Sequence, residues 1–142
     1  IFFELPLVNA DKAPIGEPAE VRRRVAQFAG AAPLILTRLP LFSQKAQLFP
    51  KSVFILGIDT VERLTEPRFY HHSPAEMRAA LQAVAAAGCR FLVAGRQVGA
   101  RFITLQDVDL PPENRALFEQ IPEADFRVDI SSTVIRQVSD PK

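Results

Sequence analysis

The chain has 142 residues and a mass of 15.8 kDa, enough for one domain with a real core and little room for a second. Seventeen Lys and Arg against sixteen Asp and Glu leave +1, so the sequence lacks the net field of a nucleic-acid or anionic-membrane binder. With 48% hydrophobic and 23% charged residues it reads as globular, no apolar run nears the ~18 residues of a membrane span, and the single Cys89 excludes an internal disulfide or cysteine zinc site, as expected in a reducing cytoplasm.

The first apolar run, Ile1 to Leu5 (IFFEL), predicts a strand, and it opens without an initiator Met or a signal-peptide charge region, so the chain reads as lacking its start. After Pro18, Val21, Val25 and Phe28 recur at helical spacing and leave Arg22, Arg23 and Arg24 largely toward solvent. Leu34 to Leu36 predicts a second strand, roughly 42–49 a short helix, and Val53 to Leu56 (VFIL) a third strand. Ser73 as N-cap, Pro74, the stripe Met77, Leu81, Val84 and Ala87, and the stop at Gly88 define the next helix. Phe91 to Ala94 (FLVA) predicts a fourth strand, roughly 113–120 a helix, and Phe126 to Ile130 (FRVDI) a fifth strand. Three of these runs are continuously apolar, the pattern of strands covered on both faces. The alternation predicts an α/β fold, a mostly parallel sheet with helices on both faces, in a single domain spanning 1–142.

In such sheets ligands bind beyond the carboxyl ends of the strands. The residues there are Asn9, Asp11 and Lys12; Thr37 and Arg38; Gly57 and Asp59; Gly95 and Arg96; and Ser131, Ser132 and Thr133, with Arg136 one turn on. A parallel sheet would gather Lys12, Arg38, Arg96 and Arg136 with one carboxylate, Asp59, and glycines that permit close approach, an environment for a phosphate-rich ligand. In Ile130 to Arg136 (ISSTVIR), hydroxyl residues after a strand would cap a helix and leave N–H groups for a phosphate, with Arg136 on the same turn. The same spacing also suits an ordinary capped helix with a surface arginine. Asp59 could accept ribose hydroxyls or merely cap the helix after it, Lys12 could be a solvated loop charge, and surface ion pairs account for charges such as Arg38 and Lys45. His71 and His72 stand in a polar loop without further ligands, and Cys89 reads as core.

ISSTVIR resembles the ISSTxxR signature of the nucleotidylyltransferase superfamily, which includes nicotinate and nicotinamide mononucleotide and phosphopantetheine adenylyltransferases. FILGIDT is similar to the family's FxxGxD strand end, and NADK stands where these enzymes often carry a lysine. The chain looks most like a bacterial and plant branch with patterns such as FELPLVNADK, LTRLPLFSQKAQLFP and CRFLVAGR. The resemblance implies a Rossmann-like sheet and nucleotidyl transfer, AMP in preference to CMP, from a magnesium-bound nucleoside triphosphate to a phosphorylated small molecule. It implies that Ser131, Ser132, Thr133 and Arg136 hold the triphosphate, Gly57 and Asp59 the nucleoside, and Lys12 and Arg38 phosphates or acceptor; Arg96 joins them by its strand-end position. One departure stands out: the family's HxGH motif, at the end of its central first strand, does not occur in these 142 residues. The catalytic residues are therefore unassigned, and a sheet without that strand should show a gap. A non-catalytic nucleotide-binding module is the alternative expectation.

Overall fold

The strongest local signals in the chain are the ends of its longest helix. Ser73 Oγ accepts a hydrogen bond from the Glu76 N–H at 3.2 Å, Pro74 occupies the first turn, and Gly88 takes φ +70° after the last turn. The computed structural model describes residues 1–10 and 13–127. In chain order they form β1 (Phe3–Pro6), α1 (Pro18–Ala26), β2 (Leu34–Thr37), α2 (Phe42–Leu48), β3 (Val53–Gly57), α3 (Ile58–Leu64), α4 (Pro74–Ala86), β4 (Arg90–Ala94), β5 (Arg96–Val98), β6 (Arg101–Ile103) and β7 (Phe118–Gln120). Short 3-10 turns cover Pro67–Tyr70, Leu105–Asp107 and Pro112–Leu117.

The result is a mixed α/β fold built on parallel pairing. β1 pairs with β2 in one parallel sheet, and β3, β4 and β7 make a second in the order β3-β4-β7. An antiparallel hairpin, β5-β6, follows β4. Gly95 fixes that hairpin: a Cβ there would stand 2.6 Å from the Phe102 ring and 2.8 Å from the Ile103 carbonyl, so only glycine lets the ribbon fold back so tightly.

The core lies under the three-stranded sheet. Phe91 and Val93 of β4 are fully buried against Ile58 and Val61 of α3 and Leu81 and Val84 of α4, with Leu105, Leu110, Leu117 and Phe118 closing it. Phe42, Phe54, Phe91 and Phe118 stack through it, with successive centroids 5.0 to 6.0 Å apart. Cys89 belongs to this core, as its position before β4 predicts.

Three expectations require correction. The single sheet is divided into two parallel parts, and among the described residues no strand pairs with the outer edges of β1 and β3. The fifth parallel strand is Phe118–Gln120, inside the stretch read as helix; of the expected strand, Phe126 and Arg127 belong to no strand and the rest lies outside the described residues. The pattern after Pro112 predicts a helix, but from Pro112 to Leu117 the chain winds as a 3-10 turn, which delivers Phe118 to the edge of β4. Finally, the continuous apolar run of β3 is covered on one face only: Phe54 and Leu56 face the core, while Val53 and Ile55 are 43% and 62% exposed.

Candidate functional site

Because β3 and β4 are parallel and Gly57 is in register with Ala94, the segments leaving them emerge at one edge of the sheet. Gly57 ends β3, and an added Cβ there meets no atom within 4 Å, so the space beside it is open. Two residues on, Asp59 stands in the first turn of α3, where the partial positive charge of the helix end favours a carboxylate. The expected alternative that Asp59 caps this helix does not hold, since Gly57 occupies the cap position and receives no side-chain bond.

Asp59 instead pairs with Arg96, the first residue of β5. Their side chains are 43% and 38% exposed, so this is a solvated pair worth ~0–1 kcal/mol, able to open when a ligand competes for either partner. Gly57, Asp59 and Arg96 are thus brought together as their strand-end positions predict. Gly95 is not part of that open space, since the hairpin fills its approach. Arg38 is exposed just past β2 and takes no part in the Asp59 pair. Lys12, Ser131, Ser132, Thr133 and Arg136 lie outside the described residues.

A cleft of about 230 Å³ opens beside the carboxyl end of β1, between Pro6, Asn9 and Ala10, the Pro40–Phe42 turn, and Thr60, Arg63 and Leu64 of α3. Phe69 and Tyr70 close one wall. The Tyr70 hydroxyl donates to the Leu64 carbonyl at 3.2 Å, and burial pushes its phenol above the ordinary value, so it stays a neutral proton donor. Aromatic walls with an amide, a hydroxyl and a guanidinium suit a small polar molecule with a planar portion.

Lys45, which lines this cleft, belongs to a cluster that sequence reasoning missed. Lys45 Nζ donates to Glu4 at 2.8 Å, the Thr37 hydroxyl donates to the same carboxylate, and Lys45 stands 4.9 Å from the Phe42 ring centroid. The Lys45 side chain is 7% exposed, so the pair ties α2 to β1 and β2 from the inside. The available signal was Glu4 itself, a carboxylate inside an otherwise apolar run, which needs a buried partner.

His71 and His72 are loop residues at φ 53° and 59°, and His71 Nδ1 lies 2.8 Å from the Glu76 carboxylate. Neither lines the cleft. Among the described residues no three His, Cys, Asp or Glu side chains group to hold a metal ion, and no helix is long and apolar enough to cross a membrane. Comparison of the chain with family models, curated proteins and solved structures gives no match.

Proposed function

We propose that the chain is a Rossmann-like nucleotide-binding domain of the nucleotidylyltransferase type, transferring an adenylyl group to a phosphorylated small molecule. The observation that carries this reading is the juxtaposition of open space at Gly57 with Asp59 and Arg96 on the carboxyl edge of two parallel strands. The likeness of ISSTVIR, FILGIDT and NADK to the superfamily's motifs supports it.

In that reaction an oxygen of the acceptor phosphate attacks the α-phosphorus of the triphosphate. A new phosphorus–oxygen bond forms, the bond from the α-phosphorus to its bridging oxygen breaks, and pyrophosphate departs with that electron pair. No covalent intermediate with the protein is required, so its work is positioning and charge stabilisation. Asp59 would accept the ribose hydroxyls while Arg96 turns from it to the phosphates, and the main chain at Gly57 would let the nucleoside lie close. Ser131, Ser132, Thr133 and Arg136 would hold the triphosphate, with Lys12 and Arg38 at the phosphates or the acceptor. Magnesium would arrive on the triphosphate as part of the substrate. The cleft lined by Asn9, Thr60 and Arg63 is the natural place for the acceptor.

A second reading is nucleotide binding without turnover by these residues, in which the open space at Gly57 and the Asp59–Arg96 pair serve to hold the nucleotide alone. Pyrophosphate release from ATP and CTP, with phosphorylated acceptors, separates the two. Release that is lost in Arg136→Ala supports transfer; binding without release supports the binding module; release unaltered in Arg136→Ala contradicts the assigned triphosphate site.

A further inference from the structure

Arg96 stands on a ribbon that has little to hold it in place. The β5–β6 hairpin is a separate two-stranded sheet, and no residue of either strand is buried. Such a ribbon is marginal in water by itself, so the position of Arg96 has to be set by contacts from outside the hairpin. β6 has its own: Ile103 packs against the core and Arg101 pairs with Asp107.

On β5 that part falls to Arg127. One arm of its guanidinium pairs with the Glu123 carboxylate, and the other donates to Gln97 Oε1 at 3.2 Å. The guanidinium carbon also lies 5.1 Å from the centroid of the Phe102 ring. Gln97 and Phe102 are partners across the hairpin, so their side chains share one face and Arg127 spans both strands. Both contacts are passed on. The Gln97 amide donates to the Gly99 carbonyl in the hairpin turn at 2.8 Å, and the Phe102 ring lies against Gly95, the residue before Arg96.

The mount of this clamp is fixed as well. The Ile121 N–H donates to the Val93 carbonyl of β4 at 2.8 Å, and the Pro122 carbonyl accepts from the Asp125 and Phe126 N–H groups at 3.0 and 3.1 Å. The turn that bears Arg127 is therefore tied to the same strand from which the hairpin leaves. Meeting a carboxylate, an amide and a ring face at once takes a planar group with several donors, which arginine has and lysine lacks.

We propose that Arg127 is a positioning residue of the nucleotide site: it clamps β5 so that Arg96 is held where it pairs with Asp59 and can turn to a phosphate. The inference rests on the nucleotide reading of Gly57, Asp59 and Arg96. Arg127 acts through Gln97 and Phe102, not on the ligand.

The test has two readouts on the 142-residue chain. The first, without nucleotide, is the order parameter of the Arg96 Nε–H bond by nitrogen-15 relaxation, which should fall in Arg127→Gln toward that of an exposed arginine. The second is calorimetry with magnesium-ATP. Arg127→Gln should weaken binding about fivefold, the scale of a solvated contact, and should add no further loss in an Arg96→Ala background. Arg127→Lys, which keeps the charge but not the fork, should behave like Arg127→Gln. Three results would overturn the proposal: an Arg96 order parameter unaltered in Arg127→Gln, losses that add to those of Arg96→Ala, or full binding in Arg127→Lys, which would make the effect one of charge alone. Absence of ATP binding by the unaltered chain would overturn the nucleotide reading instead, and an Arg96 that loosens in Arg127→Gln would still support the clamp, since that measurement uses no nucleotide.

Discussion

The two parallel sheets share a fold but not a way of being held. The three-stranded sheet is closed by side chains: Phe91 and Val93 are fully buried, and α3 and α4 each contribute buried aliphatic residues. The β1–β2 pair has a single buried residue, Thr37, and α1 beside it buries none. What ties that pair down is polar and local, the Glu4–Lys45–Thr37 cluster, with ring contacts of Phe2 to Phe49 and Phe3 to Phe28 at 5.3 and 5.0 Å. One region is stabilised by apolar area, the other by a few directed contacts.

This contrast breaks most readily at Phe91. Phe91→Ala removes the ring at the centre of the aromatic stack and should cost about 3–5 kcal/mol in chemical denaturation. Lys45→Ala leaves the Glu4 carboxylate without its cation; because Glu4 keeps 20% side-chain exposure, about 2 kcal/mol is expected, less than for a fully buried pair. Pairing Lys45→Met with Glu4→Gln should recover most of it, whereas no such rescue would mean the cluster does not hold the β1–β2 pair. Gly57→Ala separates the edge of the three-stranded sheet from its core: the added methyl meets open space, so stability should change by only a few tenths of a kcal/mol, about the cost of losing a glycine cap, while nucleotide binding falls.

The smallest effect lies on α1. Glu20 accepts from Arg23 and Arg24, and those hydrogen bonds lower its pKa from 4.5 to about 2. The folded value lies below the unfolded one, so the contribution is fully present above about pH 4.5 and is lost as pH falls through about 2. Carbon-detected titration should place the Glu20 midpoint near 2, and replacing both arginines by glutamine should return it toward the ordinary value.

Four strands and the helices α1, α2 and α4 were legible because each is a self-contained pattern: an apolar run, or an apolar stripe with a cap and a stop. β7 was not, since three residues, Phe118 to Gln120, carry no period, and pairing with β4 decides their conformation. The β5–β6 hairpin escaped for the same reason, although Gly95 marked the tight approach. At the site, the positions of Gly57, Asp59 and Arg96 followed from parallel strands, but the pairing of Asp59 with Arg96 and of Glu4 with Lys45 joins residues 37 and 41 apart in sequence, and only the folded chain reveals it.

The most direct test of the central claim is a calorimetric titration of the chain with magnesium-ATP and magnesium-CTP, repeated on Arg96→Ala. Arg96 sits in a solvated pair, so its loss should leave the melting temperature nearly unchanged. The account predicts saturable binding, tighter for ATP, that weakens about tenfold in the variant, the loss of one charge-assisted phosphate contact. Silence with both nucleotides, or binding indifferent to Arg96→Ala, would contradict a nucleotide site at the ends of β3 and β4.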